Sequence, residues 1–302
     1  MRRLLIVGCG DVGLRLIPLV RARYRVHALI RDSAQGAALR ALGVVPVIGD
    51  LDKPQTLSSI AGIAHDVVHL APPPASGATD TRTAHLIAAL GKHGNYGKYG
   101  KYQTRQSSLP QHFIYISTSG VYGDCAGAVV PETRPANPTT ARAQRRVDAE
   151  RRLRAWGVRS GVPVSILRVP GIYAADRLPL ARLQRGTPAL LDADDSFVNH
   201  VHADDLARMV IAALHHAAPG RAYNAVDDLP QKMGEYFDLV ADRHGLQRPP
   251  RIARVDAKRL MPENLLSFMS ESRRLTNHRL KHELRFRLRY PSVHDGIVGT
   301  DR

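Results

Sequence analysis

Residues 4–30 decide the fold, and they read LLIVGCGDVGLRLIPLVRARYRVHALI. The apolar runs Leu4–Val7 and Val26–Ile30 are typical of strands that are buried on both faces. Between them stands GCGDVG at residues 8–13, a complete G-x-G-x-x-G, followed by the helical pattern of Leu14–Val20. A strand, a glycine turn, a helix and a second strand are the context in which this motif predicts a dinucleotide site.

Each part of the turn has a predicted role in holding a pyrophosphate. Gly8 permits the tight turn, Gly10 lets backbone approach the phosphates, and Gly13 lets the helix pack on the strand. The helix begins here, so the amides of its first turn, with Asp11 and Val12, offer N–H groups and a partial positive charge to the phosphates. The alternative is a strand–helix turn that binds no ligand.

Length and composition are those of an ordinary globular protein. The chain has 302 residues, of which 44% are hydrophobic and 23% charged, and it can bury a large core. No apolar run approaches the length that spans a bilayer. Met1–Cys9 superficially resembles a lipoprotein signal, but its apolar stretch is too short, so we expect no export. Two cysteines indicate no disulfide framework, and a cytoplasmic location is the expectation.

The basic charge raises the question of nucleic-acid binding. The formal net charge is +16 and the isoelectric point is near 10.4. Such a charge suits a chain that neutralises phosphates. The arginines are spread widely, however, with groups at 142–154 and 273–289, and no aromatic-interleaved motif accompanies them. Solvated arginine-rich faces are therefore the preferred interpretation, and nucleic acid is not an expected partner.

Residues after the second and third strands bear on the cofactor. Arg31 stands where an NAD-preferring site usually carries an acidic residue for the ribose 2′-hydroxyl. A guanidinium there can pair with a 2′-phosphate, so Arg31 favours NADP, with NAD as the alternative. Asp50 follows the third strand, where it can accept from an adenine amino group or cap the next turn.

The remaining pattern alternates strands with helices. Predicted helices cover 34–42, 57–63 and 83–90, and predicted strands cover 44–48, 66–71, 113–116, 164–169 and 223–226. This order predicts an α/β fold with a doubly wound parallel Rossmann sheet of about seven strands. Leu70, Ala71 and Pro72 end the fourth strand on the side expected to face the cofactor. Residues 94–108 lack periodicity and are interpreted as a surface insertion.

The same reading divides the chain into two parts. Residues 1–170 are predicted to form the NAD(P)-binding Rossmann domain. Residues 171–302 are predicted to form mostly a small substrate lobe, with a strand near 222–227 returning to the Rossmann sheet. Apolar residues 265–269 would cover that lobe, and the tail after Tyr290-Pro291 is expected to be loose.

The run after the fifth strand, Ser117–Gly123 (STSGVYG), resembles the extended short-chain dehydrogenase/reductase family, which includes NAD-dependent epimerases and dehydratases of nucleotide sugars. Further matches follow in family order at Asp50-Leu51, Val68–Ala71, Leu167–Tyr173, Asn199–Ala207 and Ala222–Ala225. The resemblance covers roughly residues 3–290. It implies hydride transfer at a carbonyl or alcohol carbon of a small-molecule substrate, commonly a nucleotide sugar. It also implies a helix pair that often forms a homodimer.

The resemblance also implies the catalytic groups. In that family a Ser or Thr polarises the substrate oxygen, and the matching residue is Thr118, with Ser119 adjacent. A Tyr-x-x-x-Lys pair then exchanges the proton and holds the nicotinamide ribose. This segment should begin the helix that ends in Ala149-Glu150. Counted back from Ala149-Glu150, its positions carry Arg142 and Arg146, so neither family residue is present.

This departure changes the expected chemistry. A guanidinium stays protonated in proteins, so Arg142 cannot serve as the general base. Arg146 can still supply charge and donors to a ribose or phosphate. Two interpretations follow: an oxidoreductase with a degenerate active site, or a module that holds NADP(H) as a sensor without turnover.

Other polar residues are weaker candidates. Tyr122, Tyr173 and His202 lie near strand ends, where α/β sheets bind ligands, and Tyr122 is kept as a catalytic candidate. For each of them, packing is the alternative. Asp204 and Asp205 are expected to cap a helix over 206–214. The pairs His200/His202 and His278/His282 lack a third ligand, so no metal site is expected.

Overall fold

The computed structural model describes residues 1–91, 109–261, 266 and 269–297. Its strands are β1 (Arg2–Val7), β2 (Tyr24–Ile30), β3 (Val45–Ile48), β4 (Asp66–His69), β5 (His112–Thr118), β6 (Val129–Val130), β7 (Val164–Val169), β8 (Gly171–Tyr173), β9 (Ala189–Leu190), β10 (Phe197–Val198), β11 (His200–His202), β12 (Ala222–Asn224), β13 (Gln231–Lys232), β14 (Arg251–Ile252) and β15 (Arg274–Leu275).

The helices are α1 (Asp11–Val20), α2 (Gly36–Ala41), α3 (Thr81–Leu90), α4 (Ala141–Ser160), α5 (Leu180–Gln184), α6 (Ala203–His216), α7 (Met233–Arg243), α8 (Arg254–Leu260), α9 (His278–His282) and α10 (Val293–Gly296). Short 3-10 helices cover Ser33–Gln35, Pro54–Ile60, Ser119–Tyr122, Ala175–Arg177 and Asp192–Asp194. The segment predicted as a surface insertion, 94–108, lies outside the described residues.

Seven strands form one parallel sheet in the order β12-β7-β5-β4-β1-β2-β3. The predicted doubly wound α/β fold is therefore confirmed. The chain builds β2 and β3 on one side of β1 and then crosses to place β4 on the other side. Strand order thus reverses between β1 and β4, and in such sheets ligands bind outside the carboxyl ends of the strands at this point.

The central strands are apolar because both of their faces are covered. Leu4–Val7 is fully buried, and Leu5 lies in register with His27 of β2 and Val67 of β4. The side chains of Leu5 and Val7 join a core cluster with Phe113, Trp156 and other apolar residues. Burial of a large aliphatic side chain stabilises the fold by about 1.5–3 kcal/mol, so this continuous run accounts for the position of β1 at the sheet centre.

The chain separates into two compact units. The first unit comprises residues 1–117, 141–167 and 207–222, and the second comprises 118–140, 168–206 and 223–302. The change at residue 167 lies close to the linear boundary drawn at 170. Residues 118–140 belong to the second unit, however, and the helix α6 is divided, with residues 203–206 in the second unit and 207–216 in the first. The chain therefore alternates between units instead of completing one before the other.

Among its described residues, the second unit contains four two-stranded sheets, which pair β10 with β13, β11 with β8, β14 with β9, and β15 with β6. The expectation of a loose tail after Pro291 is wrong through residue 297. Val293 and Ile297 are 0% and 1% exposed, and they pack in a cluster with Tyr173 and Phe237. Burial of these apolar side chains orders the segment, which forms α10.

Three local expectations differ from the structure. The helix α4 continues to Ser160 instead of ending at Ala149-Glu150, because Leu153 and Trp156 extend its buried face. The helix α6 begins at Ala203, so Asp204 and Asp205 lie inside its first turn and neither is the cap. The predicted helix over 57–63 is a 3-10 helix from Pro54 to Ile60.

Candidate functional site

The glycine turn in the first unit connects β1 to α1. Gly8 has a φ of +87°, and a Cβ built on it would lie 2.7 Å from the backbone N and Cα of Ala71. Gly13 is similarly confined, since its Cβ would lie 3.3 Å from Cys9 Sγ and 3.4 Å from the Gly8 carbonyl oxygen. These two positions require glycine because strand β4 and helix α1 approach the turn closely.

Gly10, by contrast, has open space in front of it. No described heavy atom lies within 4 Å of a Cβ built on Gly10, so the space in front of this residue is open. Gly10 is the N-cap of α1, and its carbonyl accepts the first helical hydrogen bond from Leu14 N–H at 2.9 Å. The amides of Val12 and Gly13 lie in the first turn of the helix, where no preceding helical carbonyl can accept from them. Open space beside a helix amino end is the geometry that accepts a pyrophosphate.

The ends of β2 and β3 present Arg31 and Asp50. Arg31 is exposed directly after β2. The next residue, Asp32, accepts a hydrogen bond from Ala34 N–H at 2.8 Å, so this carboxylate caps the following 3-10 helix. Asp50 Oδ1 accepts from Asp52 N–H at 2.9 Å, which supports the turn-capping interpretation of Asp50. Contact of Asp50 with adenine stays a prediction.

The end of β4 is fastened to β1. The N–H groups of Leu70 and Ala71 both donate to the Val7 carbonyl, at 2.8 and 2.9 Å. Leu51, the residue after Asp50, is buried, and its carbonyl lies 2.7 Å from His85 Nδ1. The predicted residues Leu70, Ala71 and Pro72 thus continue from the strand that lies beside the glycine turn.

An arginine that the sequence analysis missed fastens the same loops. Arg82 binds both carboxylate oxygens of Asp52, at 2.8 and 2.6 Å, and also donates to the Pro72 carbonyl at 3.2 Å. The Arg82 guanidinium holds the pKa of Asp52 below its ordinary value. A separation of thirty residues between Arg82 and Asp52 carries no sequence signal, so only the folded chain reveals this pair.

Arg146 lies on α4 against the carboxyl end of β5. Its Nη1 donates to the Tyr115 hydroxyl at 3.0 Å and to the Ile116 carbonyl at 2.7 Å. One turn later on the helix, Glu150 accepts from the Ser117 hydroxyl at 2.7 Å. Burial raises the pKa of Tyr115 to about 12, and the Arg146 charge opposes this only in part, so this phenol is neutral. The helix α4 is therefore positioned so that the Arg146 guanidinium lies at the carboxyl end of β5.

A buried polar network lies next to Arg146. Burial and the Arg146 charge lower the pKa of His69 to about 3, so this ring is neutral. His69 Nε2 lies 3.0 Å from Thr83 Oγ1, and that hydroxyl donates to Asp80 at 2.8 Å. Because the Thr83 proton is already donated, His69 Nε2 carries the hydrogen in the other bond. Asp80 N–H in turn donates to Asp148 of α4 at 2.9 Å, which ties the loop before α3 to that helix.

In the second unit, the three predicted catalytic side chains differ in accessibility. Thr118 is partly exposed, and its Oγ1 accepts from Gly120 N–H at 3.3 Å, whereas Ser119 is buried. Tyr122 is 1% exposed, and its hydroxyl donates to Asn224 Oδ1 at 2.8 Å. Arg168 lies over the Tyr122 ring, 4.7 Å from its centroid. These contacts favour a packing role for Tyr122, and catalysis by any of the three stays a prediction.

The histidines flagged in the sequence make ring contacts, and His200 and His202 are buried. His200 and His202 lie on β11 and both make edge contacts with the Tyr173 ring, with centroids 6.1 and 5.2 Å apart. Burial lowers the pKa of His200 to about 4. His278 and His282 stack on each other at 3.9 Å. Within the described ranges, no group of three or more His, Cys, Asp or Glu side chains could hold a metal.

Asp205 has a role that sequence reasoning assigned wrongly. It was expected to cap the helix α6, but its Oδ2 accepts from the N–H groups of Arg289 and Tyr290, at 2.8 and 2.9 Å. The carboxylate is fully buried and holds the chain that leads to α10. The separation of more than eighty residues explains why capping was the interpretation available from sequence.

The glycine turn agrees with what the chain matches. A family model described as NAD(P)H-binding matches residues 8–217, which begin at Gly8 and contain the elements from α1 through α6. The chain belongs to this NAD(P)H-binding family. The resemblance to extended short-chain dehydrogenases/reductases of the epimerase/dehydratase type is likewise confirmed. A nicotinamide cofactor is therefore the ligand class of this family, without a choice between NAD and NADP.

Individual proteins resemble the chain to different extents. GDP-6-deoxy-D-mannose reductase of Pseudomonas aeruginosa is 29% identical over 168 residues, which are 49% of this chain and 55% of that protein. The match thus spans about half the length of this curated relative. A functionally unknown conserved protein from Silicibacter pomeroyi has a solved structure with a TM-score of 0.77 and 27% identity, covering 98% of this chain and 96% of that one.

A more distant structure shares the fold. UDP-glucuronic acid 4-epimerase from Bacillus cereus, solved with UDP-glucuronic acid and NAD, has a TM-score of 0.72 and 18% identity, covering 97% of this chain and 96% of that one.

Along the part of this chain that the structure describes, we find no helix with both the length and the apolar character to span a membrane.

Proposed function

We propose that the chain is an NADP-dependent oxidoreductase that acts at a carbonyl or alcohol carbon of a nucleotide sugar. The observation that carries this proposal is the glycine turn, where Gly8 and Gly13 are tightly packed while the space at Gly10 is open beside the amino end of α1. Other glycines also have open space in front of them, Gly43 and Gly77 among them, but Gly10 is the one of these that forms the N-cap of a described helix. Membership of the NAD(P)H-binding family supports the same ligand.

The preference for NADP depends on Arg31. This arginine is exposed at the carboxyl end of β2, where the adenosine ribose lies in Rossmann folds. The acidic neighbour Asp32 is engaged with Ala34 N–H, so its carboxylate is committed to the following turn. A guanidinium makes charge-assisted hydrogen bonds to a phosphate, and a 2′-phosphate would supply that partner.

Arg146 would take over the binding part of the missing lysine's role. Its guanidinium is held at the end of β5 by the Tyr115 hydroxyl and the Ile116 carbonyl. Both of these bonds use Nη1, so the remaining guanidinium nitrogens keep donors for a ribose hydroxyl. A fixed cation at this edge also favours the ionised phosphates of a dinucleotide.

The chemistry available to the chain is limited by Arg142. In the reducing direction, the carbonyl carbon gains a hydride and its oxygen gains a proton. NADPH supplies the hydride when it is bound. The Thr118 oxygen accepts from Gly120 N–H, so its own O–H can donate to the substrate oxygen and polarise it. Because a guanidinium stays protonated, we infer that the proton comes from water and not from Arg142.

The substrate class rests on relatives. The curated relative is named for a GDP-linked deoxy sugar, and the Bacillus cereus structure contains UDP-glucuronic acid. Both ligands are nucleotide sugars with several alcohol carbons. They support a nucleotide sugar as the substrate of this chain. The turnover assay below tests which base and sugar it takes.

Cofactor binding is tested first. NADPH and NADH are titrated into the purified chain while the fluorescence of the reduced nicotinamide is followed. Gly10→Val places a side chain in the open space and should abolish binding while the thermal unfolding midpoint is kept. Arg31→Ala should weaken NADPH by about 10- to 100-fold and leave NADH unchanged, as expected for a lost bond to a charged group. Arg25→Ala, exposed near the other end of β2, is the matched control.

Turnover is tested second. The chain is incubated with NADP⁺ and GDP-6-deoxy-D-mannose or UDP-glucuronic acid, and the appearance of reduced nicotinamide is followed. Thr118→Val should remove the activity without changing the affinity for NADPH. Absence of NADPH binding at high micromolar concentrations would refute the whole proposal. Binding of NADPH without turnover of any nucleotide sugar would refute the enzymatic part and support the sensor interpretation.

A further inference from the structure

A cavity of about 480 Å³ opens in the second unit. Its walls are the β6–β15 pair, the segment 227–230 and the helix α9, and none of these elements takes part in the proposed cofactor site. The volume lies within the range of small-molecule sites in proteins. Val129, Pro230 and Leu275 supply apolar wall, and the rest of the lining is polar or charged.

The cavity contains a buried carboxyl group, that of Asp227, without a hydrogen-bond partner among the described residues. Asp227 is 3% exposed, and neither of its oxygens has a hydrogen-bond partner among the described residues. The backbone N–H of Leu229 favours the charged form of the carboxylate and opposes the effect of burial in part. Burial raises the pKa of Asp227 to about 8, and the charges of Asp228 and Asp295 add to the effect. A buried group without a partner is costly, so its retention calls for a ligand.

The cavity also contains the guanidinium of Arg274, which has no carboxylate partner among the described residues. Asp228 Oδ1 lies 2.6 Å from Lys281 Nζ, so these two charges neutralise each other. Arg274 donates from Nε to the Gly127 carbonyl at 2.7 Å and lies 5.0 Å from the Phe197 ring centroid. No carboxylate of the described residues lies within ion-pair distance of Arg274. The cavity therefore keeps one buried carboxyl group without a hydrogen-bond partner and one guanidinium without a carboxylate partner among the described residues.

We infer that this cavity binds a small zwitterion, with its ammonium group at Asp227 and its anionic group at Arg274. A dipolar ligand is the class that satisfies both groups at once. A simple anion would leave Asp227 without a partner, and a simple cation would leave Arg274 without one. An ammonium beside Asp227 would favour the charged carboxylate and so reverse the effect of burial.

The inference does not depend on the proposed oxidoreductase activity, since it uses different residues and a different ligand. The zwitterion would be of amino-acid or amino-sugar-acid size, as the cavity volume allows. The neighbouring His278 and His282 stack on each other, and His282 Nδ1 lies 2.9 Å from the His278 carbonyl, so they serve as the wall of the cavity in this assignment.

The test uses a series of ω-amino acids in which the distance between the ammonium and the carboxylate increases. Glycine, β-alanine, 4-aminobutyrate and 6-aminohexanoate are titrated into the full chain by calorimetry at concentrations up to about 20 mM. Butylamine and butyrate carry one charge each and are the ligand controls. We expect at least one zwitterion to bind, and the singly charged analogues to bind about tenfold more weakly or not at all.

Two variants assign the charges. Asp227→Asn keeps the shape of the side chain and Arg274→Gln keeps a donor, and each should weaken the zwitterion by about tenfold or more. Arg185→Gln, an exposed arginine of the same unit, should have no effect. Neither variant should lower the unfolding midpoint or the affinity for NADPH. These two measurements show that the variants are folded. The inference is overturned if no zwitterion binds, if the singly charged analogues bind equally well, or if either charge variant binds normally.

Discussion

The guanidinium of Arg146 donates a hydrogen bond of 3.0 Å to the hydroxyl of Tyr115 at the carboxyl end of β5. The tyrosine comes from a central strand and the arginine from α4, and the same guanidinium nitrogen reaches the Ile116 carbonyl. Where the related family places a lysine on this helix, the chain thus holds a larger cation with a partner on the neighbouring strand. Tyr115 is a positioning residue in this arrangement, since it is fully buried.

Tyr115→Phe removes one of the two bonds that orient Arg146. We expect the affinity for NADPH to fall by about 3- to 10-fold, as for one neutral hydrogen-bond partner, with the ratio of NADPH to NADH affinity unchanged. Fluorescence titration of both cofactors measures this. Tyr24→Phe removes a hydroxyl that faces Asp66 at the amino edge of the same sheet and should leave both affinities as they are. Equal loss in the two variants would contradict a positioning role.

Gly8 and Gly10 should respond differently to the same substitution. Gly8→Ala brings a Cβ to 2.7 Å from the Ala71 backbone at a φ of +87°, so we expect destabilisation by at least about 2 kcal/mol. Gly10→Ala meets no described atom within 4 Å and should unfold at the wild-type temperature while NADPH binding weakens. Unfolding midpoints with and without NADPH separate the two effects. A stable Gly8→Ala would show that the turn is looser than its geometry indicates.

Acid should destabilise the chain through its buried histidines. Burial lowers the pKa of His69 to about 3 and that of His200 to about 4, from an ordinary value of 6.5. The unfolded chain therefore binds these protons first, so stability is fully present above pH 6.5 and is lost as the pH falls towards 4. Each histidine contributes at most about 1.4 kcal/mol per pH unit in that window. His200→Phe keeps the ring contacts and should flatten the dependence of the unfolding midpoint between pH 7 and pH 5.

Asp205 should anchor the segment that ends in α10. Its carboxylate accepts the N–H groups of Arg289 and Tyr290, and Asp205→Ala leaves both without that acceptor. We expect a loss of about 2–3 kcal/mol and faster proteolysis near residue 289. Asp204→Ala removes the preceding carboxylate, which is 39% exposed, and is the matched control. Similar proteolysis of the two variants would mean that Val293 and Ile297 hold the segment by themselves.

Much of the first unit could be predicted because its signals are local. The apolar run 4–7, the glycines at 8, 10 and 13, and the second apolar strand are contiguous, and each follows from backbone sterics or burial. Predictions of element ends were weaker. The helix α4 continues past Glu150, and Asp204 and Asp205 lie inside α6, because side-chain burial decides where a helix stops.

The contacts that shape the candidate sites were beyond sequence reasoning. Arg82 reaches Asp52 across two loops, Arg146 reaches Tyr115, and Asp205 reaches the backbone at 289–290. In each case the partners are thirty or more residues apart, and neither partner carries a motif. The unpartnered carboxyl of Asp227 and its position in one cavity with Arg274 are likewise visible only in the folded chain.

The sequence by itself determined the central strand β1 and the glycine turn that follows it, since these depend on residue identity at adjacent positions. Only the tertiary structure decided which polar side chains are engaged and which are not. The physical reason is that a hydrogen bond or ion pair needs two groups within about 3 Å, and chain folding alone brings distant residues to that distance.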